Sequence, residues 1–433
     1  MAEISPWMHV GRAEEALAVM VTLLEECDEL GYLPLRAEVL LGLGDAQSAA
    51  GLVSEAASTL REAAFTALEA GHDRVGARAA MFLIRVEGIE RSDYDAAALW
   101  TEHAKAVVSR LAEPGRVATE LEYRQCRVLS DQGDIEGALP HCRAAVALST
   151  ANVGPEHIDT VSARLALGIA FYMAGDLDEA EPRFRAALVA SRALHGPSHP
   201  SQAVPLQALA AICYSRDGGA ACVDPFERAY RAAVAGSGPR HPAVADYANN
   251  LALAYLGAGR VDDAEVRARQ AMVIREATGE AHPGIAASHR ILGEIAVKRA
   301  QPELAREHYD AAIDGARRTR GPKHHDVVAG LRLRATLALE QGDRVSAIAD
   351  LEAALVAQEG ITMPPEDLAE LQWKLGQALL VEDPAARIRA VRLVREAQQG
   401  YPASAVTQHA AVAAWLREHA VGLPLASELA VER

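Results

Sequence analysis

A short loop of the pattern Gly-x-x-His recurs five times along the chain at a nearly constant interval. Its histidines are His157, His199, His241, His282 and His324, which lie 42, 42, 41 and 42 residues apart. A fixed period of about 20–50 residues indicates that one supersecondary unit has been stacked repeatedly. The interval therefore predicts a stacked-repeat protein whose function is binding and not catalysis.

The segments between these loops predict two helices separated by a glycine turn. In the two clearest copies, apolar and small residues recur at helical spacing up to Gly175 and Gly259, where a positive φ ends the first helix. Acidic residues suited to a helix N-terminus follow. Ala180 and Ala264 come next, and their small size lets two helices cross closely. Each interval therefore predicts a helical hairpin, and the chain an all-α fold.

This pattern resembles the tetratricopeptide repeat, in the 42-residue variety of kinesin light chains and of many bacterial signalling proteins. The small helix A residues, the aromatic residues and the helix B alanines that carry the resemblance are Gly168, Ala252 and Gly293, then Phe171 and Tyr255, then Ala180, Ala264, Ala305 and Ala347. The resemblance implies an α-solenoid, a right-handed superhelix of about nine to ten helical hairpins. Most of the chain is covered, with the strongest match between residues 154 and 357.

Repeat regularity divides the chain into four predicted regions. They are degenerate repeats in 1–153, regular 42-residue repeats in 154–357, a terminal repeat with a capping helix in 358–420, and a mobile tail in 421–433. One unit has a distorted turn at Gly218, with Cys222 at the alanine position, and a later unit has Arg334 at a normally apolar site. We expect a distorted repeat around Gly218 and no domain break there.

Charge and composition exclude several classes of partner. The net charge is −16, which argues against nucleic acid because phosphate contacts need a basic field. The sequence lacks both a long apolar run and a signal-peptide pattern, which predicts a cytoplasmic protein with no membrane partner. The five cysteines show no CxxC spacing, and Cys126, Cys142, Cys213 and Cys222 fall at or beside small or core positions. We expect them to be reduced packing residues.

The sequence predicts no catalytic site, no metal site and no cofactor. The recurring histidines belong to successive repeats about 10 Å apart, whereas metal ligands must lie about 2 Å from one ion. We therefore expect the histidines to hydrogen-bond the loops between repeats. Phosphate-loop, HExxH, GxSxG and kinase motifs are also missing from the sequence. The chain is predicted not to be an enzyme.

The predicted binding surface is the concave groove lined by one face of every helix A. The groove positions implied by the resemblance are Tyr172, Tyr214, Asn249, Leu253, Arg290, Lys298 and Arg332. In kinesin-light-chain repeats an asparagine of the Asn249 type holds the backbone of a bound peptide, so the same role is implied here. The two tyrosines and the leucine are expected to contact apolar side chains of the ligand.

Arg290 and Arg332 occupy the same repeat position one unit apart, with Lys298 nearby. Arginine presents a planar fork to carboxylates, so these cations predict acidic groups on the partner. Glu294 and Glu340 partly cancel this charge.

Two function classes stay open. The first is a scaffold that binds an extended protein or peptide segment. The early degenerate repeats, the histidine loops and the segment around Trp415 resemble the C-terminal repeat region of myxobacterial-type serine/threonine kinases, which implies the recognition region of a bacterial signalling kinase. The alternative is a ligand-sensing or self-assembling solenoid, whose groove holds a small molecule or another copy of the chain.

Overall fold

The structure is a computed structural model that describes residues 13–50, 52–91, 93–196, 199–277, 284–359, 365–380, 384–401 and 405–420. These residues contain twenty α-helices, and no β-strand occurs among them. The predicted all-α fold is therefore confirmed. The chain divides into two compact units, Met1–Glu280 and Ala281–Arg433. The predicted loop at His282 and the predicted tail 421–433 lie outside the described residues.

The first unit contains helices α1 to α13. They are α1 Ala13–Leu30, α2 Leu33–Ala49, α3 Val53–Glu69, α4 Asp73–Arg85, α5 Tyr94–Val108, α6 Gly115–Gln132, α7 Ile135–Val153, α8 Ile158–Met173, α9 Leu177–His195, α10 Ala203–Asp217, α11 Val223–Ser237, α12 Pro242–Gly257 and α13 Val261–Glu276. A π-helical turn, Val86–Glu90, follows α4, and 3-10 turns at Pro200–Gln202 and Gly219–Cys222 precede α10 and α11. Helix α1 is followed by six hairpins, from α2/α3 to α12/α13, and most helices pack chiefly on their chain neighbours.

The second unit contains helices α14 to α20. They are α14 Gly284–Lys298, α15 Pro302–Arg320, α16 His325–Glu340, α17 Arg344–Ala357, α18 Pro365–Ala378, α19 Pro384–Gly400 and α20 Val406–His419. Three hairpins, α14/α15, α16/α17 and α18/α19, are followed by α20, which packs on α19. Among the described residues of both units, no helix is long and apolar enough to cross a bilayer.

Glycine and a capping aspartate form the turn within a hairpin. Gly175 has a φ of 79° and Gly259 a φ of 74°, the positive values that the sequence predicts at these helix ends. Asp176 then caps α9, because its side chain accepts a hydrogen bond at 3.0 Å from the backbone N–H of Glu179. The hairpin turns thus follow from local sequence.

A histidine begins the first helix of the regular hairpins. The Nδ1 atoms of His157, His241 and His324 accept hydrogen bonds from the backbone N–H two residues later, at 3.2, 3.2 and 3.1 Å. His199 makes the same contact with the backbone N–H of Ser201 at 3.2 Å. Each imidazole satisfies one of the unpaired N–H groups of a helix start. The predicted structural role is confirmed for these four histidines.

In several hairpins, a small residue of the first helix packs against a residue of the second helix sixteen positions later. Gly168 lies against Phe184, and a Cβ added to Gly168 would be 2.7 Å from the Phe184 ring. Gly44 lies against Leu60 in the same way, at 2.6 Å. A side chain on the first helix cannot be accommodated at these crossings, so the small residue lets the helices approach.

Two pairs of cysteines form disulfides, so the prediction that these four cysteines are reduced is wrong. Cys126 and Cys142 take the two positions of the small–large crossing between α6 and α7, with their Cα atoms 4.8 Å apart. Cys213 and Cys222 are joined across the turn between α10 and α11, with a Cα separation of 5.8 Å. Both separations lie in the range a disulfide spans. The fifth cysteine, Cys27, is a buried free thiol.

The two irregular repeats have local explanations. Helix α10 ends at Asp217, Gly218 has a φ of 77°, and a 3-10 turn leads into α11 with no unit boundary, which confirms the distorted repeat. Arg334, at a normally apolar site, donates hydrogen bonds to both carboxylate oxygens of Asp350, at 2.8 and 2.6 Å, and to Asp310. A partly buried ion-pair network therefore replaces apolar packing at that position.

Candidate functional site

Most first helices of successive hairpins lie side by side within each unit. In the first unit, α2 contacts α4, α4 contacts α6, α6 contacts α8 and α8 contacts α10; in the second, α14 contacts α16 and α16 contacts α18. The predicted site residues all lie on first helices of hairpins: Tyr172 on α8, Tyr214 on α10, Asn249 and Leu253 on α12, Arg290 and Lys298 on α14, and Arg332 on α16. The first four define the first-unit face, and the last three, with Glu294 and Glu340, define the second-unit face.

The first-unit face is aromatic. The hydroxyl of Tyr172 on α8 lies 3.3 Å from the Ser215 Oγ on α10, which brings Tyr172 beside the residue that follows Tyr214. The side chain of Tyr214 is 40% exposed. Its ring meets Phe226 edge to face, with ring centroids 6.4 Å apart. The Tyr214 ring is therefore held by Phe226 and is exposed to solvent, which suits contact with apolar groups.

Asn249 and Leu253 differ in accessibility. Leu253 is partly buried, whereas Asn249 is 4% exposed and already has an interaction within the chain. A ligand backbone could reach the Asn249 side chain only if that interaction were exchanged. The backbone-holding role of Asn249 stays a prediction.

The second-unit face is charged. The Arg290 Nη1 donates a hydrogen bond to the Glu294 Oε1 at 3.0 Å, so this cation and this carboxylate neutralise each other. Within the part of the chain that the structure describes, Arg332 and Lys298 form no ion pair. Lys298 is exposed and Arg332 partly exposed. Two cationic side chains are therefore left to meet an anionic ligand.

Tyr309 of α15 lies beneath this charged face. Its ring packs against Gly293, one turn along α14 from Arg290, and the residue is 2% exposed. The charged groups that act on its phenol are Glu294, Arg290, Glu340 and Arg332. Its hydroxyl has no hydrogen-bond partner among the described residues. Burial raises its pKa, so the hydroxyl stays protonated and is available as a donor.

Two carboxyl groups near Arg332 are affected by burial. Burial raises the pKa of the Glu294 carboxyl, although the nearby positive charges oppose this shift. Partial desolvation likewise raises the pKa of Asp367 on α18, although this residue is exposed, and Arg332 opposes the shift. Arg332 thus acts electrostatically on carboxyls of two helices and forms an ion pair with neither. The Glu294 carboxyl is acted on by both Arg332 and Lys298, and Arg332 also acts on the Tyr309 phenol, so these groups share one electrostatic neighbourhood.

The sequence did not single out Tyr309 or Asp367. A signal for Tyr309 was present, because it follows Gly293 by sixteen residues, as Phe184 follows Gly168. Tyr309 of the α14/α15 hairpin therefore carries a hydroxyl, whereas Phe184 at the same position of the α8/α9 hairpin has none. No comparable spacing points to Asp367.

The described residues contain one cluster with metal-ligand chemistry, formed by His324, His325 and Asp326. The His324 Nδ1 accepts a hydrogen bond from the backbone N–H of Asp326, and its Nε2 lies 3.4 Å from the Arg320 Nη1. Burial, first, and then the neighbouring charges of His325 and Arg320 lower the pKa of His324 to about 3. Both nitrogens already have neighbours and a guanidinium stands beside them, so this cluster is better suited to capping a helix than to binding a cation.

One family model described as tetratricopeptide repeat matches residues 117–190 and 284–359, and a second such model matches residues 244–284. No curated protein sequence matches the chain.

Solved structures resemble the chain at low sequence identity. A Rap protein complexed with Competence and Sporulation Factor is 14% identical and has a TM-score of 0.55, over 88% of this chain and 99% of that one. BtubC (BKLC) from P. vanneervenii is 20% identical with a TM-score of 0.34, over 63% and 94% of the two chains. A tetratricopeptide repeat protein from Parabacteroides merdae ATCC 43184 is 16% identical with a TM-score of 0.43, over 68% and 98%. The likeness to the Rap protein supports the solenoid fold.

Proposed function

We propose that this chain, which contains tetratricopeptide repeats, is a non-catalytic scaffold whose groove faces bind an extended peptide segment with acidic residues. Tetratricopeptide repeats are typical of protein-interaction scaffolds, and the Rap protein of similar fold was solved in complex with Competence and Sporulation Factor. Rigid helices present a preformed surface, so little of the cost of ordering falls on the protein.

The observation that carries the acidic specificity is the second-unit face. Arg332 and Lys298 are cations without an ion pair among the described residues, and the Tyr309 hydroxyl between charged neighbours lacks a hydrogen bond there. A carboxylate can accept hydrogen bonds from all three groups. The first-unit face, with Tyr172 and the exposed ring of Tyr214, suits apolar side chains.

The test uses arrayed peptides in matched pairs, one with Asp and Glu and one with Asn and Gln in their place. We expect the acidic member to bind more tightly, with an affinity that falls as salt rises. Arg332→Ala should weaken binding of the acidic member about tenfold or more, since a hydrogen bond between charged groups contributes about 1.5–3 kcal/mol.

The matched control is Arg318→Ala, which removes an exposed arginine from α15 of the same unit. It makes the same change in net charge away from the second-unit face. Equal losses for the two variants would reduce the effect to net charge and contradict a specific site. Light scattering on the same samples distinguishes the self-assembling alternative, in which the chain binds its own copies and no peptide.

The kinase relationship belongs to this proposal as well. A recognition region of a bacterial signalling kinase would act in the cytoplasm and supply binding, while a separate domain supplied catalysis. The sequence encoded immediately before Met1 tests this directly. A kinase domain there would support the relationship, and an unrelated gene would contradict it without affecting the groove.

A further inference from the structure

The two disulfides of the first unit differ in accessibility. Cys126 and Cys142 are both fully buried at the crossing of α6 and α7. Cys222 is also fully buried, but its partner Cys213 is partly exposed near the end of α10. A thiolate can attack a disulfide only at a sulfur it can reach. One bond therefore joins a partly exposed cysteine to a buried one, whereas both cysteines of the other bond are buried.

The second helix of the hairpin that carries Cys213 and Cys222 begins without the capping aspartate that other hairpins use. Asp134 and Asp343 each cap the second helix of their hairpins through a hydrogen bond to a backbone N–H, at 2.9 and 3.1 Å. Cys222 occupies the N-cap position of α11 and provides no such side-chain bond. The turn between α10 and α11 is instead tied to α10 through Cys213.

This turn packs against the first-unit face and the next hairpin. A Cβ added to Gly219 would be 3.1 Å from the Tyr214 ring and 2.8 Å from the Gly257 Cα. Helix α12, which carries Leu253, also contacts this 3-10 turn. Since Tyr214 is the residue after Cys213 and rests on Phe226 of α11, movement of the turn would change the support of the tyrosine ring.

We propose that the Cys213–Cys222 disulfide is a redox modification site at which a dithiol reductant releases this turn. A thiolate of the reductant attacks the Sγ of Cys213, forms a mixed disulfide there and expels Cys222 as a thiolate, which takes up a proton. The second thiol of the reductant, as its thiolate, attacks the mixed disulfide. Cys213 leaves as a thiol after protonation, and the reductant becomes its own disulfide, so two electrons and two protons pass to the protein.

Reduction removes the covalent substitute for the missing cap, so the turn loosens while the α6/α7 hairpin stays closed. The consequence for ligands rests on the proposed function: apolar peptide contacts at Tyr214 weaken when the bond opens and return when it closes. The enclosed disulfide is an internal reference in the same molecule.

The first experiment treats the native full chain with dithiothreitol, alkylates new thiols with iodoacetamide and identifies them by peptide mass spectrometry. We expect Cys213 and Cys222 to be labelled about tenfold or more faster than Cys126 and Cys142, because the enclosed bond requires local unfolding. In denaturant both pairs should be labelled. Equal rates in the native state, or labelling of neither pair before unfolding, would overturn the proposal.

The second experiment measures amide hydrogen exchange across the turn. Reduction should raise exchange in residues 214–224 and leave the α6/α7 hairpin unchanged, and reoxidation should reverse the rise. The double variant Cys213→Ser, Cys222→Ala should show the same rise without reductant, whereas Cys126→Ala, Cys142→Ala should not. The latter pair has a precedent, since Ala252 and Ala268 take both positions of the crossing in the α12/α13 hairpin. Unchanged exchange in reduced chain would overturn the proposal.

Peptide affinity, measured with the acidic array in both redox states, distinguishes failure of the redox proposal from failure of the proposed peptide binding. Selective reduction with unchanged affinity contradicts the coupling to Tyr214. Absence of peptide binding in either state contradicts the proposed function, while the labelling and exchange results still decide the redox site.

Discussion

The two groove faces carry different chemistry on the same packing frame. By packing frame we mean the crossing at which a small residue of the first helix packs against a residue of the second helix sixteen positions later. In the first unit Gly168 of α8 lies against Phe184, and in the second Gly293 of α14 lies against Tyr309. The two rings are 1% and 2% exposed, so they fill equivalent core positions. One face then presents tyrosine rings, and the other presents cations around the Tyr309 hydroxyl. The core of a repeat thus sets the positions of the side chains, while a few exchanged atoms set which ligand groups the face can meet.

The largest expected effect tests whether the second unit depends on polar groups for folding. Arg334 is partly buried between Asp350 and Asp310, and Leu251 is its counterpart in the first unit by repeat spacing. Arg334→Leu should destabilise the second unit by about 3–5 kcal/mol, because Asp350 keeps a buried charge without its cation. Native-state hydrogen exchange of α16 and α17 measures the loss.

The control for this prediction removes both charges. Arg334→Leu with Asp350→Leu should recover most of the lost stability, because an apolar pair of similar volume replaces the ion pair. If the single variant loses less than about 1 kcal/mol, the network acts as a surface ion pair and the contrast with Leu251 disappears.

The next effect tests whether the packing frame is shared. Ala180 in the first unit and Ala305 in the second are fully buried at helix crossings. Leucine at either position should destabilise its own unit by about 1–3 kcal/mol through overpacking. Val189→Leu on α9 is the control, since Val189 is 66% exposed. Hydrogen exchange should show equal losses in the two units, and a large inequality would contradict a common frame.

The frame could be predicted from sequence because its determinants are local. The helix-ending glycines and the histidine caps act within a few residues, so a repeated pattern reveals them. The disulfides depend on the distance between Cys126 and Cys142 across two helices, which composition does not report. The open hydroxyl of Tyr309 depends on what surrounds it. Repeat position placed Asn249 on a first helix, but its 4% exposure follows from tertiary packing.

The pH dependence of stability tests the histidine cap of the second unit. A single substitution at His324 should change this dependence in the second unit only. His324 has a pKa of about 3 in the folded chain, lowered by burial and by His325 and Arg320 against the opposing effect of Asp326, and about 6.5 when unfolded. Between about pH 6.5 and pH 3 only the unfolded state gains the proton. The stability that neutral His324 contributes is therefore present above about pH 6.5 and is lost as pH falls towards 3.

We expect the second unit to lose on the order of 1–2 kcal/mol between pH 7 and pH 5 through this group. His324→Asn keeps an N-cap acceptor without a group that titrates in this range, so it should remove that part of the loss. Hydrogen exchange of α16 at the two pH values measures it. Identical pH dependence in the variant and the parent would mean that His324 does not carry the effect.

The smallest effect isolates the one hydroxyl that distinguishes the two frames. Tyr309→Phe gives the second unit the ring that Phe184 provides in the first, so folding should be preserved, and hydrogen exchange of α14 and α15 should not change. Binding of the acidic peptides should weaken by about 0.5–1.5 kcal/mol, the usual contribution of one hydrogen bond, without a change in salt dependence, because no charge is removed. Arg332→Ala in the same titration should weaken binding more and flatten the salt dependence. If Tyr309→Phe leaves the affinity unchanged while Arg332→Ala lowers it, the ligand anion meets the cations alone and the difference between the two faces lies entirely on their surfaces.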